Sequence, residues 1–263
     1  MNIKTFLPKL TALLEVIIVY FGFIWLPGTL FKLELWIFDL LMIFVSLLVI
    51  LLPRRNLTDY GLTLGHWKQD LSVALTAYLP ASLAVLPTAF LDSTSWSGAL
   101  IISAGIILAL LFIAWPLQKK QIPLMGIITI VTTIILFGII SYLRGSLPSA
   151  SIGVRDFIIF AVLVAFGEEI LWRGYVQSRL NQAFGKPFQF MGVPWGPGLI
   201  LAAVFFGFVH VLNGYPSQWY WAWGFWTAFN GLLLGFIREK TSSLLASTIL
   251  HGLPFGLGRA FGM

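Results

Sequence analysis

The stretch 122–143, IPLMGIITIVTTIILFGIISYL, contains no charged side chain and is long enough to cross a lipid bilayer as a helix. A transmembrane helix needs about 20 mostly apolar residues. Eight further apolar runs occur along the chain, separated by short connections rich in Pro, Gly, Ser or charge. The nine candidate spans are approximately 10–26, 34–52, 71–91, 98–116, 122–143, 156–178, 197–212, 220–237 and 243–260. The pattern predicts an all-α, polytopic transmembrane helix bundle of about eight to nine spans. The seventh run is short, so it either tilts little or is re-entrant.

The composition of the whole chain favours the same fold class. Of the 263 residues, 59% are hydrophobic and 10% are charged, whereas a soluble domain carries about 25% charged residues. The mean hydropathy is +0.92. A soluble core of this size cannot bury so much apolar surface, so lipid is expected to cover much of it. The chain has no Cys, which excludes disulfides, thiolate catalysis and prenylation of the chain itself.

The basic residues lie mostly in short loops, so the net charge of +6 indicates membrane orientation and not a nucleic-acid partner. Lys4 and Lys9 precede the first apolar run, but no small-x-small cleavage site follows, and an uncleaved first span is expected. A cytoplasmic N-terminus and nine alternating spans would place eleven basic residues inside and four outside. The inside group is Lys4, Lys9, Arg54, Arg55, Lys68, Lys119, Lys120, Arg179, Lys186, Arg238 and Lys240, and the outside group is Lys32, Arg144, Arg155 and Arg259. We therefore predict that the N-terminus is cytoplasmic.

The unusual polar residues concentrate in the second half of the chain. We divide one membrane domain into N-terminal helices, residues 1–150, and a C-terminal helical core, residues 151–263. An ionisable residue inside a bilayer costs about 2.5–3.5 kcal/mol, so each one needs a reason. The candidates are Glu15, Asp39, Glu168, Glu169, Arg173, His210 and His251. Glu15 and Asp39 lie near the predicted starts of their spans, so we expect structural or interfacial roles in which they reach the headgroup region.

The segment Phe166-Gly167-Glu168-Glu169-Ile170-Leu171-Trp172-Arg173-Gly174 is the densest polar cluster within a predicted span. On a helix, Glu169 and Arg173 are i,i+4 and can pair. Glu168 is rotated by about 100° from Glu169 and is left comparatively free. A buried ion pair that orders the bundle is the alternative interpretation. Because two acids face one base, we favour a functional carboxylate at Glu168, suited to general acid–base chemistry.

Two of the three histidines, His210 and His251, also fall within predicted spans. Two histidines and a carboxylate can position a water molecule and an oxyanion, or they can bind a metal. No His-Glu-x-x-His motif is present, and no metal or other cofactor is expected. Asn230 could donate hydrogen bonds between helices or into a site. The aromatic stretch 219–223 is typical of an interfacial belt.

These residues resemble the CAAX protease and bacteriocin-processing (CPBP, or Abi) family, which includes the Rce1-like prenyl-protein endopeptidases. The family motifs Glu-Glu-x-x-x-Arg, Phe-x-x-x-His and a later intramembrane His are similar to Glu168-Glu169-x-x-x-Arg173, Phe206-x-x-x-His210 and His251. The loop from Tyr60 to Trp67 is also similar to a segment that precedes a span in bacterial members.

The resemblance implies a glutamate-type intramembrane endopeptidase that cleaves a membrane-associated peptide or protein. It implies that Glu168 activates water, that His210 helps to orient it, and that His251 supports the oxyanion. Glu169 would pair with Arg173, and Phe206 and Asn230 are supporting residues. The expected location is the cell membrane, as a multi-pass protein of a bacterial inner or plasma membrane.

One position departs from the family pattern, because Phe255 stands where members often have Asn or Asp four residues after the last His. Asn230 or Asn213 would have to supply a substitute amide. The departure keeps open a non-catalytic membrane scaffold or a bacteriocin immunity-type protein of the same family. A proton-coupled transporter that uses the glutamates and histidines as a relay is a third alternative.

Overall fold

The computed structural model describes residues 3–119 and 121–262, and in these residues nine continuous helical segments form one bundle. Lys120, assigned above to the cytoplasmic side, lies outside the described residues. Helix α1 comprises Ile3–Tyr20, a π-helical stretch Phe21–Trp25 and Leu26–Leu30. The next helices are α2 (Leu35–Leu51), α3 (Trp67–Val85, extended by the 3₁₀ turn Leu86–Ala89), α4 (Trp96–Lys119) and α5 (Pro123–Arg144).

The sixth helix, α6, runs without interruption through Ala150–Phe184. It is followed by a short hairpin of β1 (Phe188–Phe190) and β2 (Val193–Trp195), in which Phe188 pairs with Trp195 in antiparallel register. The last helices are α7 (Pro197–Val211), α8 (Trp221–Thr241) and α9 (Leu245–Ala260). Two 3₁₀ turns, Leu57–Tyr60 and Leu212–Gly214, lie in the connections. Each predicted span overlaps one of these helices.

Five described helices are long and apolar enough to cross a membrane, by length and composition. They are Phe6–Leu30, Trp67–Thr88, Trp96–Ala114, Pro123–Arg144 and Ala150–Phe184, and Leu35–Leu51 and Pro197–Val211 are shorter apolar helices. In α5 only 11% of the apolar window is buried inside the protein, so this helix needs lipid around it. The all-α membrane bundle is confirmed, whereas the number of crossings and the side of the N-terminus stay predictions.

Two apolar clusters form the interior of the bundle. One cluster joins α3, α4, α8 and α9, and the other joins α1, α2, α6 and α7. Helix α7 contributes Leu199 to the first cluster and Phe206 to the second. The contact between α6 and α9 is therefore a seam between the two halves of the interior.

Small residues close this seam. Gly252 and Gly256 of α9 both pack against Ala161 of α6, where an added Cβ would overlap the opposing helix. The Gly252-x-x-x-Gly256 spacing places both glycines on one face of α9, which permits this close helix contact. As a result, His251, the neighbour of Gly252, is brought against the middle of α6.

Two π-helical stretches, Ile159–Val164 and Ile170–Gln177, lie within α6 on either side of Glu168 and Glu169. Such wider turns are rare and frequently occur at functional sites.

The structure corrects one expectation for the acids near span starts and supports the other. Asp39 does not reach a headgroup region, because its side chain is fully buried in the bundle. Glu15 has a structural role: its carboxylate accepts hydrogen bonds from Arg55 at 2.6 Å, Arg179 at 2.8 Å and the hydroxyl of Tyr175 at 2.9 Å. These contacts tie α1 to the loop after α2 and to α6.

Candidate active site

The carboxylate of Glu169 is fully buried and has two partners, the guanidinium of Arg173 and the imidazole of His251. Its Oε1 lies 2.8 Å from Nη1 of Arg173, one turn further along α6, so the predicted ion pair is confirmed. The same oxygen lies 3.0 Å from Nδ1 of His251 on α9. Because Arg173 is also buried, the pair neutralises two charges that lipid and apolar side chains would not tolerate alone.

Glu168 faces a different set of groups, although it is adjacent to Glu169 in the chain. Its Oε2 lies 3.5 Å from Nε2 of His251, and its side chain is 19% exposed. Among the described residues, no Arg or Lys forms an ion pair with it. His251 therefore stands between the two carboxylates, with one ring nitrogen towards each.

Phe206 of α7 lies beneath the polar cluster. Its ring centroid is 4.3 Å from the guanidinium carbon of Arg173, close enough for a cation–π contact. The ring also lies 4.6 Å from that of His210 and 6.1 Å from that of His251. Phe206 thus packs against both histidines and the buried cation, which explains the aromatic residue one turn before His210.

The ring of His210 is held by its own helix. Its Nδ1 lies 2.7 Å from the carbonyl oxygen of Phe206. Because a carbonyl oxygen can only accept, Nδ1 carries the proton of the neutral ring and donates a hydrogen bond to that oxygen. The Nε2 lone pair is then available to a water molecule or a substrate. Glu168 lies near enough to His210 for the two to interact electrostatically.

His210 lies near the end of the short helix α7. This helix has 15 residues and is therefore about 22 Å long, shorter than the bilayer core of about 30 Å. Its last turn carries His210, one turn after Phe206. The Phe206 ring links His210 to His251, because it packs against both imidazole rings.

The structure thus brings together Glu168, Glu169, Arg173, Phe206, His210 and His251, from α6, α7 and α9. Asn230 of α8 shows no hydrogen bond to any of them in the part of the chain that the structure describes. Asn213 is exposed in a 3₁₀ turn. Phe255 is 42% exposed and packs on Phe160, with ring centroids 5.1 Å apart. It presents no polar group to the site.

Two residues that the sequence analysis did not assign to the site, Trp223 and Asp39, lie next to it. The ring of Trp223 lies 5.4 Å from that of His210, although its sequence setting indicated an interfacial belt. Asp39 packs against Gly167, directly beside Glu168. The sequence indicated a role for Asp39 only through its charge within an apolar run. Because that run was expected to place Asp39 near the headgroups, a position beside Glu168 was not predicted.

A polar cavity of about 460 Å³ lies elsewhere in the bundle. Residues from the loop after α2, the end of α6 and the end of α8 line it, and none belongs to the cluster around Glu168. Three of the cations predicted on one side of the membrane, Arg55, Lys186 and Arg238, share this cavity. It is distinct from the glutamate–histidine cluster.

Comparison with known proteins gives one family. Residues 150–254 match the family model described as type II CAAX prenyl endopeptidase Rce1-like. The matched range contains every residue of the cluster around Glu168, and it leaves α1 to α5 outside. No curated protein and no solved structure shows a significant match to the chain.

Proposed function

We propose that this chain, whose residues 150–254 match the Rce1-like CAAX prenyl endopeptidase family model, is a glutamate-type intramembrane endopeptidase. Its substrate would be a membrane-associated peptide or protein in the cell membrane. The observation that carries the proposal is the unequal pairing of two adjacent glutamates. Glu169 is neutralised by Arg173, whereas among the described residues the ion-pair contact of Glu168 is with His251, at 3.5 Å, and its side chain keeps partial exposure.

The proposed reaction is hydrolysis of a peptide bond. Glu168 takes a proton from a water molecule, and the water oxygen attacks the carbonyl carbon to form a tetrahedral intermediate. The C–N bond then breaks, and Glu168 returns the proton to the leaving amine. One water molecule is consumed, and the products are a carboxyl group and an amine.

The histidines supply the polar contacts that this reaction needs. His210, with its Nδ1 proton held by the Phe206 carbonyl, offers Nε2 to orient the attacking water. His251 lies against both carboxylates and is placed to stabilise the oxyanion when its ring is protonated. Glu169, Arg173 and Phe206 hold these groups in place without contacting the reacting atoms.

A non-catalytic membrane scaffold of the same family is the second candidate. The exposed, apolar Phe255 favours it, because the position commonly occupied by a polar residue offers no donor here. Removing one oxyanion donor typically lowers the rate by about 10²–10³-fold. The scaffold requires folding and membrane insertion of the chain but no ionisable group at Glu168.

The test is hydrolysis by the purified chain in liposomes, with a library of membrane-associated peptides and water enriched in ¹⁸O. The proposal predicts new amino termini and one ¹⁸O in each new carboxyl group, detected by mass spectrometry. Glu34→Gln changes an exposed loop acid and serves as the matched control, with wild-type cleavage expected. If no peptide of the library is cleaved, and Glu168→Ala preserves the biological phenotype, the scaffold is correct instead.

A further inference from the structure

Asp39 is a fully buried carboxyl group for which neither the family motifs nor the proposed reaction has a use. Neither of its side-chain oxygens has a hydrogen-bond partner among the described residues. It lies in the second turn of α2, between apolar neighbours. Burying a polar group without a hydrogen-bond partner is unfavourable. Packing alone would be served better by an apolar side chain at this position.

The position of Asp39 places it beside Glu168. A Cβ built on Gly167 would lie 3.1 Å from the backbone oxygen of Asp39 and 3.2 Å from its Cβ. Gly167 therefore permits α2 to approach α6 at the residue that precedes Glu168. The two acids are near enough to interact electrostatically.

The positively charged groups in this region lie nearer to Glu168 than to Asp39. Within the described residues, no Lys, Arg or His makes an ion pair with Asp39. Glu168 has His251 at 3.5 Å and lies in the field of Arg173. Two carboxyl groups in one apolar site do not both ionise readily. The negative charge therefore belongs on Glu168, where the positive groups are, and the proton belongs on Asp39.

We propose that Asp39 is a positioning residue for Glu168: it remains a neutral acid and donates a hydrogen bond towards the Glu168 carboxylate. This contact would keep Glu168 ionised and oriented as the base that activates water. The role in catalysis rests on the proposed function, whereas the pairing of the two acids stands independently of it. The pairing can therefore be measured without a substrate.

Infrared difference spectroscopy of the purified protein measures the pairing directly. Subtracting the spectrum of Asp39→Asn from that of the wild type should reveal the C=O stretch of a protonated carboxylic acid at neutral pH. The same subtraction in a Glu168→Gln background should show that band at a shifted frequency, because its hydrogen-bond partner has changed. Ionised-carboxylate bands in place of the acid band, or an unshifted band, would overturn the proposal.

Kinetics then tests the catalytic consequence. Asn at position 39 retains a hydrogen-bond donor, so Asp39→Asn should keep kcat close to the wild-type value. Leu has a similar shape without a donor, and Asp39→Leu should lower kcat by about 10²-fold at unchanged KM. Ser46→Ala removes another unpartnered, fully buried polar group on α2 and is the matched control, with unchanged kcat.

Two kinetic results contradict the proposal: wild-type kcat in Asp39→Leu, or a loss in Asp39→Asn as large as that in Asp39→Leu. Thermal unfolding in detergent shows which variants fold. If Asp39→Leu does not fold, the kcat of Asp39→Asn and the infrared band of the carboxylic acid test the proposal. If the wild type hydrolyses no peptide, the proposed function fails, whereas the infrared result still supports or overturns the pairing.

Discussion

Glu168 and Glu169 are neighbours in the chain, yet the helix points them at different partners. Glu169 is held by Arg173 at 2.8 Å and His251 at 3.0 Å. Glu168 meets the opposite ring nitrogen of His251 at 3.5 Å. Removing each negative charge should therefore have a different consequence, structural for Glu169 and chemical for Glu168.

The first prediction concerns the stability of the Glu169 variant. Glu169→Gln leaves the buried Arg173 without its counter-charge, and removing one partner of a buried pair costs about 3–5 kcal/mol. We expect a clear loss of thermal stability in detergent, whereas Glu168→Gln should unfold near the wild-type temperature. Equal stability of Glu169→Gln and the wild type would show that the ion pair does not support the fold.

The second prediction concerns the Phe206 ring that packs against Arg173. Phe206→Leu keeps an apolar side chain but removes the ring face beneath Arg173, which lies 4.3 Å from the centroid. A desolvated cation–π contact contributes about 1–2 kcal/mol, and we expect a destabilisation of this size. Chemical unfolding measures it, and Phe208→Leu, on the same helix and 36% exposed, is the control with little effect. The idea fails if both variants lose the same stability.

The sequence predicted contacts between side chains correctly where the two residues are close together in the chain. Glu169 and Arg173 are four residues apart, so helical geometry alone determined their pairing. Asp39 and Trp223 come from distant parts of the chain, and periodicity does not report contacts between helices. The burial of Asp39 depends on how α2 packs against Gly167, which hydropathy does not encode.

At the scale of elements, the site depends on the seam between α6 and α9. Gly252→Ala would force a Cβ against the backbone carbonyl of Ala161. Overpacking of this kind costs about 1–3 kcal/mol, and it would also move His251 away from the glutamates. We expect lower thermal stability together with lower peptidase activity.

Gly22→Ala is the matched control for this seam. A Cβ at Gly22 would meet only the side chain of Ile18, at an ordinary 3.9 Å. This variant should therefore keep both stability and activity. If Gly252→Ala behaves like Gly22→Ala, the close approach of α9 to α6 is not required.

The short helix α7 and the π-helical stretches show different limits of prediction from sequence. The seventh run was recognised as short, and the helix Pro197–Val211 has that property. The π-helical stretches of α6 were not foreseen, because an extra residue in one turn leaves an apolar run equally apolar.

At the scale of the whole molecule, composition alone was sufficient for the fold class. A chain with 59% hydrophobic and 10% charged residues must expose apolar surface to lipid. The arrangement of the helices around α6 required the structure, since many packings satisfy the same hydropathy. The division at residue 150 and the cytoplasmic N-terminus remain predictions.

Membrane orientation can be measured because the natural chain contains no Cys. Gln69→Cys lies at the exposed start of α3, and Ser149→Cys lies in the exposed loop before α6. With a membrane-impermeant maleimide on intact cells, we expect labelling at position 149 and protection at position 69. Lysis should expose position 69, and the opposite pattern would place the N-terminus outside.

The activity of Glu168→Gln tests the central claim most directly. Once a cleaved peptide is identified, its hydrolysis by the variant and by the wild type is compared in the same liposomes, with folding verified by thermal unfolding. General acid–base catalysis contributes about 10²–10⁴-fold, so we predict a loss of at least about 10²-fold in a folded protein. A folded Glu168→Gln variant that cleaves at the wild-type rate would contradict the assignment of Glu168 as the base.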